Sequence, residues 1–229
     1  MWQELRTELY PKGLEVVTVA LDIRGEQDAG SWIDYAKSEH PSLIDTTHLL
    51  DELLGVRNVP SGIWVDEEGM IVRPPEPAFP GRAVVAELPI PAEAPPRITA
   101  MMQEASKMRI DPQRYVAALR DWVDNSAESR FALDPGEVVA RSTPRPPETS
   151  RAAACFELGQ HLHRAGSPDS AVPWFREAHR LQPDNWTYKR QAWELVDPIM
   201  QGPSDEYEGD WLSDVKEIGA ENYYPPVDL

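Results

Sequence analysis

One stretch constrains this chain more than any other: Gly55-Val56-Arg57-Asn58-Val59-Pro60-Ser61-Gly62-Ile63-Trp64-Val65-Asp66-Glu67-Glu68-Gly69, a valine-proline bend running into an apolar strand and a turn. Proline fixes φ and offers no backbone donor, so it fits ahead of a strand or at a sheet edge and not inside a ladder. Ile63 to Val65 and Met70 to Val72 read as the two arms of a hairpin around Asp66-Glu67-Glu68-Gly69, an acidic loop longer than a two-residue turn. Taken alone, Val59-Pro60 fits an ordinary loop proline before a strand. Trp64 and Trp32, both within apolar runs, are expected in the core.

Upstream of that bend the pattern alternates between helix and strand. Trp2, Leu5, Leu9 and Tyr10 recur at helical spacing over Met1 to Tyr10, and Pro11 and Gly13 close the helix, which begins without a side-chain cap. Leu14 to Asp22 is rich in β-branched residues and nearly continuously apolar, the composition of a parallel strand covered on both faces. Ala29 to Glu39 fits a short helix, His40-Pro41 breaks it, Ser42 to Ile44 is extended, and His48 to Leu54 is helical again.

A formal charge of −17 and a pI near 4.6 argue against nucleic acid or an anionic membrane as partner, because phosphate binding needs clustered Lys and Arg. The 229 residues, 41% of them hydrophobic, suffice for one or two domains with a sizeable core. No apolar run approaches the roughly 20 residues of a membrane span, and no basic-then-apolar export signal opens the chain, so a cytoplasmic protein is expected. Cys155 is the only cysteine, which rules out an intramolecular disulfide and any Cys-x-x-Cys chemistry within these residues. His40, His48, His161, His163 and His179 lack both cysteine partners and i, i+4 pairing. Neither a metal site nor a cofactor is expected, and no Gly-rich phosphate loop or Gly-x-Ser-x-Gly elbow is present.

Beyond residue 73 the texture changes. Residues 74–97 carry prolines at 74, 75, 77, 80, 89, 91, 95 and 96 and suggest an extended connection, with room for one short strand at Val84-Val85-Ala86 and Leu88. Residues 98–200 are expected to be helical, with Ile98 to Met108, then Pro112 to Val123 capped by Asp111, then a proline-punctuated joint over Asp134 to Glu148. Cys155-Phe156-Glu157-Leu158-Gly159, followed by Leu162, Gly166, Ala171, Phe175, Ala178 and Pro183, resembles one tetratricopeptide repeat at about 152–185. Such a repeat is a helix pair of about 34 residues whose small residues sit where the helices cross. Cys155 stands where that motif favours Trp, and Leu162 where it favours Tyr. One repeat cannot bury its own core, so the Pro112–Val123 helix is expected to cover it, with Asp184 capping a third helix. Cys155 then serves as a small core side chain and not as a nucleophile. Residues 201–229 form an acidic tail whose Tyr207, Trp211, Leu212, Tyr223 and Tyr224 suggest docking on the chain itself.

The order helix, strand, helix, helix, Val-Pro, hairpin over residues 1–73, together with Lys12-Gly13-Leu14-Glu15-Val16-Val17, resembles the latter part of a ResA/TlpA-type thioredoxin-like protein. The resemblance implies an α/β fold, an incomplete thioredoxin-like fold followed by an α-helical tetratricopeptide-like region. It also implies a cis Val59-Pro60 bond and a substrate-binding role for Asn58, Val59 and Pro60, whose backbone would lie against an extended peptide. In that family a central strand and a Cys-x-x-Cys pair precede the helix that here contains Met1, and these residues include neither. The chain looks like a ResA-like group in which selenocysteine replaces the first cysteine in a Trp-Ala-x-x-selenocysteine-Gly-Cys motif. A codon ordinarily read as stop would then place the start of the reading frame at Met1. The function implied is thiol- or selenol-disulfide oxidoreduction on a protein, peptide or peroxide substrate, absent from this form for want of catalytic residues. The alternative is a non-enzymatic module, a redox-inactive thioredoxin-like platform with a tetratricopeptide unit holding a peptide or partner protein.

Overall fold

The computed structural model describes residues 1–81, 93–142 and 145–229. The protein is mixed α/β, with two small sheets and many helices. The short strand expected at Val84-Val85-Ala86 and Leu88 lies outside the described residues.

Helix α1 (Trp2–Leu9) buries Leu5 and Leu9, one turn apart on one face. A 3-10 turn through Pro11 ends at Gly13, whose φ of +104° is a conformation that a side chain would strain. Strand β1 is shorter than the Leu14 to Asp22 run, covering only Thr18–Leu21. It pairs in parallel with β2 (Ser42–Asp45), Thr18 opposite Ser42. Between them α2 spans Glu26–Ala36, starting and ending three residues earlier than the expected Ala29 to Glu39, because Lys37 turns left-handed and stops it. Helix α3 (Leu49–Leu54) follows, its Leu50 N–H held by the Asp45 carboxylate at 2.9 Å.

The second sheet is the antiparallel hairpin of β3 (Ser61–Val65) and β4 (Ile71–Pro77). Asp66 builds the turn locally, accepting from Glu68 N–H at 3.1 Å and Met70 N–H at 2.8 Å, while Gly69 takes positive φ. Pro74, Pro75 and Pro77 belong to β4 and not to the connection expected from residue 74. A strand with one neighbour has a face of the ladder that needs no N–H donor, which is where proline is tolerated.

Two apolar clusters form the core. In the first, Leu5 and Leu9 of α1 and Trp64 of β3 meet Tyr115, Ala118 and Leu119 of α5 (Pro112–Asn125). Trp122 stacks on Trp64 at 5.0 Å between ring centres, and Asp111 caps α5 through Arg114 N–H at 3.0 Å. Helix α5 therefore covers the hairpin and not the 152–185 helix pair, correcting the expected partnership. Between 134 and 148, expected as a joint, α6 (Pro135–Arg141) forms behind an Asp134–Glu137 capping box.

The second cluster joins α7 (Pro147–Arg164), α8 (Pro168–Leu181), α9 (Trp186–Val196) and α10 (Trp211–Ile218). Gly159 of α7 lets the ring of Phe175 on α8 approach closely, and Phe156 stacks on Tyr188 at 4.0 Å. Met101 and Ala105 of α4 (Pro96–Ala105) pack against this cluster, as does the tail, in which Tyr207, Trp211 and Tyr223 are buried. Asn185, not Asp184, caps α9. Its Oδ1 accepts from Tyr188 N–H at 3.3 Å, and Asp184 instead meets Arg57 at 2.6 Å. Ile23, just past β1, enters the second cluster, and its N–H donates to Gln191 Oε1 at 2.9 Å. No helix among the described residues is long and apolar enough to cross a membrane.

Candidate functional site

The loop between α3 and β3 carries the three residues singled out by resemblance. Gly55, at φ +77°, terminates α3, and buried Val56 anchors the chain beyond it. Arg57 C=O then accepts from Trp186 N–H at 2.7 Å and Thr187 N–H at 3.3 Å, so the first turn of α9 finds its acceptor in this loop. Val59-Pro60 is cis, Pro60 is exposed, and Asn58 and Val59 are half-buried. Both backbone groups of Val59 are engaged from within the chain. Its N–H donates to Asn58 Oδ1 at 2.9 Å, and its carbonyl accepts from the Tyr224 hydroxyl at 3.1 Å. Asn58 Nδ2 in turn donates to Tyr223 C=O at 3.1 Å. The C-terminal tail thus lies over Asn58 and Val59.

A groove of about 980 Å³ runs along β1. Thr18, Ala20 and Leu21 of β1 and Asp22 just beyond it line the groove, with Trp32, Ile33 and Tyr35 from α2 and Met1 to Gln3 from the start of α1. Trp32 is 72% exposed and Tyr35 82% exposed, so Trp32 is not the core residue expected, whereas Trp64 is fully enclosed. Thr18 N–H bonds Pro41 C=O at 3.0 Å and Asp22 N–H bonds Asp45 C=O at 3.2 Å, so the even-numbered backbone groups face β2. Those of Val19 and Leu21 point to the opposite edge, where β1 has no neighbouring strand among the described residues. β3 likewise pairs with β4 alone. At the carboxyl end of β1 the carboxylates of Asp22, Asp28 and Glu194 lie near the guanidinium groups of Arg24 and Arg190. Arg24 meets Asp28 at 2.6 Å, burial pushes the Asp22 carboxyl up, and burial raises Glu194 to about 7.

Between α3 and the helices lies a buried polar seam. His48 Nδ1 accepts from Gln160 Nε2 at 2.9 Å, and burial lowers its pKa to about 4, so the ring is neutral. Asp51 accepts from the Thr187 hydroxyl, its other oxygen has no partner, and burial raises it to about 8. Cys155 is buried within α7 and burial raises its thiol, the reverse of what a nucleophile needs. Among the described residues no group of three or more His, Cys, Asp or Glu is arranged to hold a metal ion. Glu194 and the Tyr224–Val59 contact had no local sequence signal beyond the aromatics of the tail. No family model matches the chain, and neither curated proteins nor solved structures yield a match.

Proposed function

We propose that residues 1–73 form part of a thioredoxin-like oxidoreductase unit whose central strand and redox pair lie in a segment joined ahead of α1, and that residues 152–185 form a tetratricopeptide-type helix pair packed against it. The observation that carries this reading is a pair of edges that are open among the described residues: β1 and β3 each pair with one strand there, and the groove beside β1 reaches the first residues of α1. An unpaired inner edge leaves backbone groups and apolar side chains in water, and one added strand would satisfy both. The added segment would supply a thiolate or selenolate and a resolving cysteine. Attack on a substrate disulfide forms a mixed disulfide and releases one thiol. The resolving cysteine then releases the second, so the enzyme pair is oxidised as the substrate is reduced. Asn58, Val59 and Pro60 would flank the reacting sulfurs, in a cytoplasmic protein acting on a protein or peptide disulfide or a peroxide. The chain of 229 residues alone would be inert in this chemistry.

Intact mass of the native protein tests the proposal. A value above 25.8 kDa, with disulfide or peroxide reduction by the longer form and none by Met1–Leu229, supports it. A native mass equal to that of Met1–Leu229, in a chain that unfolds cooperatively, overturns it. The exposed Trp32 and Tyr35 beside an open strand edge favour one second reading: a binding module that takes an extended peptide as an added strand. In that case Val19, replaced by proline to block the edge, would lose peptide binding.

A further inference from the structure

A separate cavity of about 390 Å³ lies between the end of β4, the first turn of α5 and the last residues of the chain. Its size is that of a small-molecule site, typically about 300–1,000 Å³. Phe79, Ile110, Tyr224 and Val227 give it an apolar wall. Arg109 and Arg114 also line it, and neither forms an ion pair with a described residue. In a chain of 39 acidic against 22 basic side chains, two guanidinium groups without an ion-pair partner among the described residues stand on one cavity.

A third polar group bounds the same space. Tyr115 is 3% exposed, and its hydroxyl accepts from the Trp64 indole N–H at 3.0 Å. An indole only donates, so the phenol keeps its own proton, for which there is no acceptor among the described residues. Burial pushes that phenol up to about 12, so it stays a neutral donor. Asp111 and Glu221 are on the cavity as well. Asp111 is engaged with Arg114 N–H, and the two carboxylates would repel a second negative charge on a ligand.

We propose that this cavity binds an amphipathic monocarboxylate, its aryl or branched acyl body against Phe79, Ile110 and Tyr224 and its carboxylate held by Arg109 and Arg114. The site stands apart from the β1 groove and does not depend on the redox reading. Arginine pairs recognise carboxylates through parallel charge-assisted hydrogen bonds, while the apolar wall supplies contact area.

Calorimetric titration of the 229-residue chain with naphthoate and, separately, with naphthylmethanol tests the assignment. One-to-one saturable binding of naphthoate is expected, weakened about tenfold or more in Arg109→Ala/Arg114→Ala, with naphthylmethanol binding unchanged by that substitution. Both arginines are exposed, so the variant should melt as the wild type does. Ile110→Trp, which fills the cavity, should abolish binding of both compounds. Naphthoate that fails to saturate at millimolar concentration, binds the double arginine variant as tightly, or still binds Ile110→Trp overturns the proposal.

Discussion

Replacing Gly159 with alanine separates helix propensity from packing, because the two predict opposite signs. Gly159 lies inside α7, where alanine should gain about 1 kcal/mol by propensity alone. A Cβ at this position would stand 2.9 Å from two ring carbons of Phe175 and 3.1 Å from a third. Relaxed carbon contacts sit at about 3.5–4.0 Å, so the ring or the helix must retreat by roughly half an ångström or more. The ring has no free space to take: Phe175 is fully buried, with Phe156 at 5.3 Å and Tyr207 at 6.2 Å between ring centres. Overpacking of this kind costs about 1–3 kcal/mol, which leaves a net loss near 1 kcal/mol after the propensity gain. For a chain of this size that lowers Tm by about 2–4 °C. In a Phe175→Leu background the clash is gone, and the same Gly159→Ala change should become stabilising. Urea unfolding of the four proteins in the cycle measures the coupling. A Gly159→Ala change of the same sign in both backgrounds would refute the argument that the α7–α8 crossing depends on this glycine.

Tyr115→Phe removes the acceptor of the buried Trp64 indole and should cost about 1–3 kcal/mol in urea unfolding, where an unchanged midpoint would contradict the hydrogen bond. Arg73 is 1% exposed and holds Glu76 at 2.6 Å together with the carbonyls of Phe131 and Asp228, so Arg73→Met strands a largely buried carboxylate and should cost about 3–5 kcal/mol. The pH dependence has two arms. His48 and His179 titrate at about 4 when folded, below the unfolded value near 6.5, so the unfolded chain takes up protons first and stability falls as pH drops through that window. Asp51 titrates at about 8 when folded, above its unfolded value near 3.9, so the folded state retains a proton that the unfolded state releases, and stability falls as pH rises from about 4 to 8. Asp51→Asn should therefore raise the unfolding midpoint at pH 8 and leave it unchanged near pH 4, as stated from that same linkage; an equal change at both would contradict it.

Features whose interactions are local could be read from consecutive residues. Asp66 and Gly69 encode their turn, Asp134 and Glu137 their capping box, and Asp111 its helix start, because each partner lies within a few residues. The Asn58-Val59-Pro60 loop was legible for the same reason, its bend and following strand being written in consecutive residues. Tertiary structure decided the rest. Trp32 and Trp64 sit in similarly apolar runs, yet only Trp64 has Trp122 and Tyr115 to cover it, and those arrive from a helix more than fifty residues away. Pro74 to Pro77 extend a strand because β4 happens to lie at an edge, which composition does not reveal. Asp184 pairs with Arg57, 127 residues away, while Asn185 directly ahead of Trp186 caps α9. The Val59 carbonyl, free in the sequence, is taken by Tyr224 from 165 residues away. Such contacts depend on which surfaces meet after the elements have formed, so a pattern with a period of two or 3.6 residues carries no record of them.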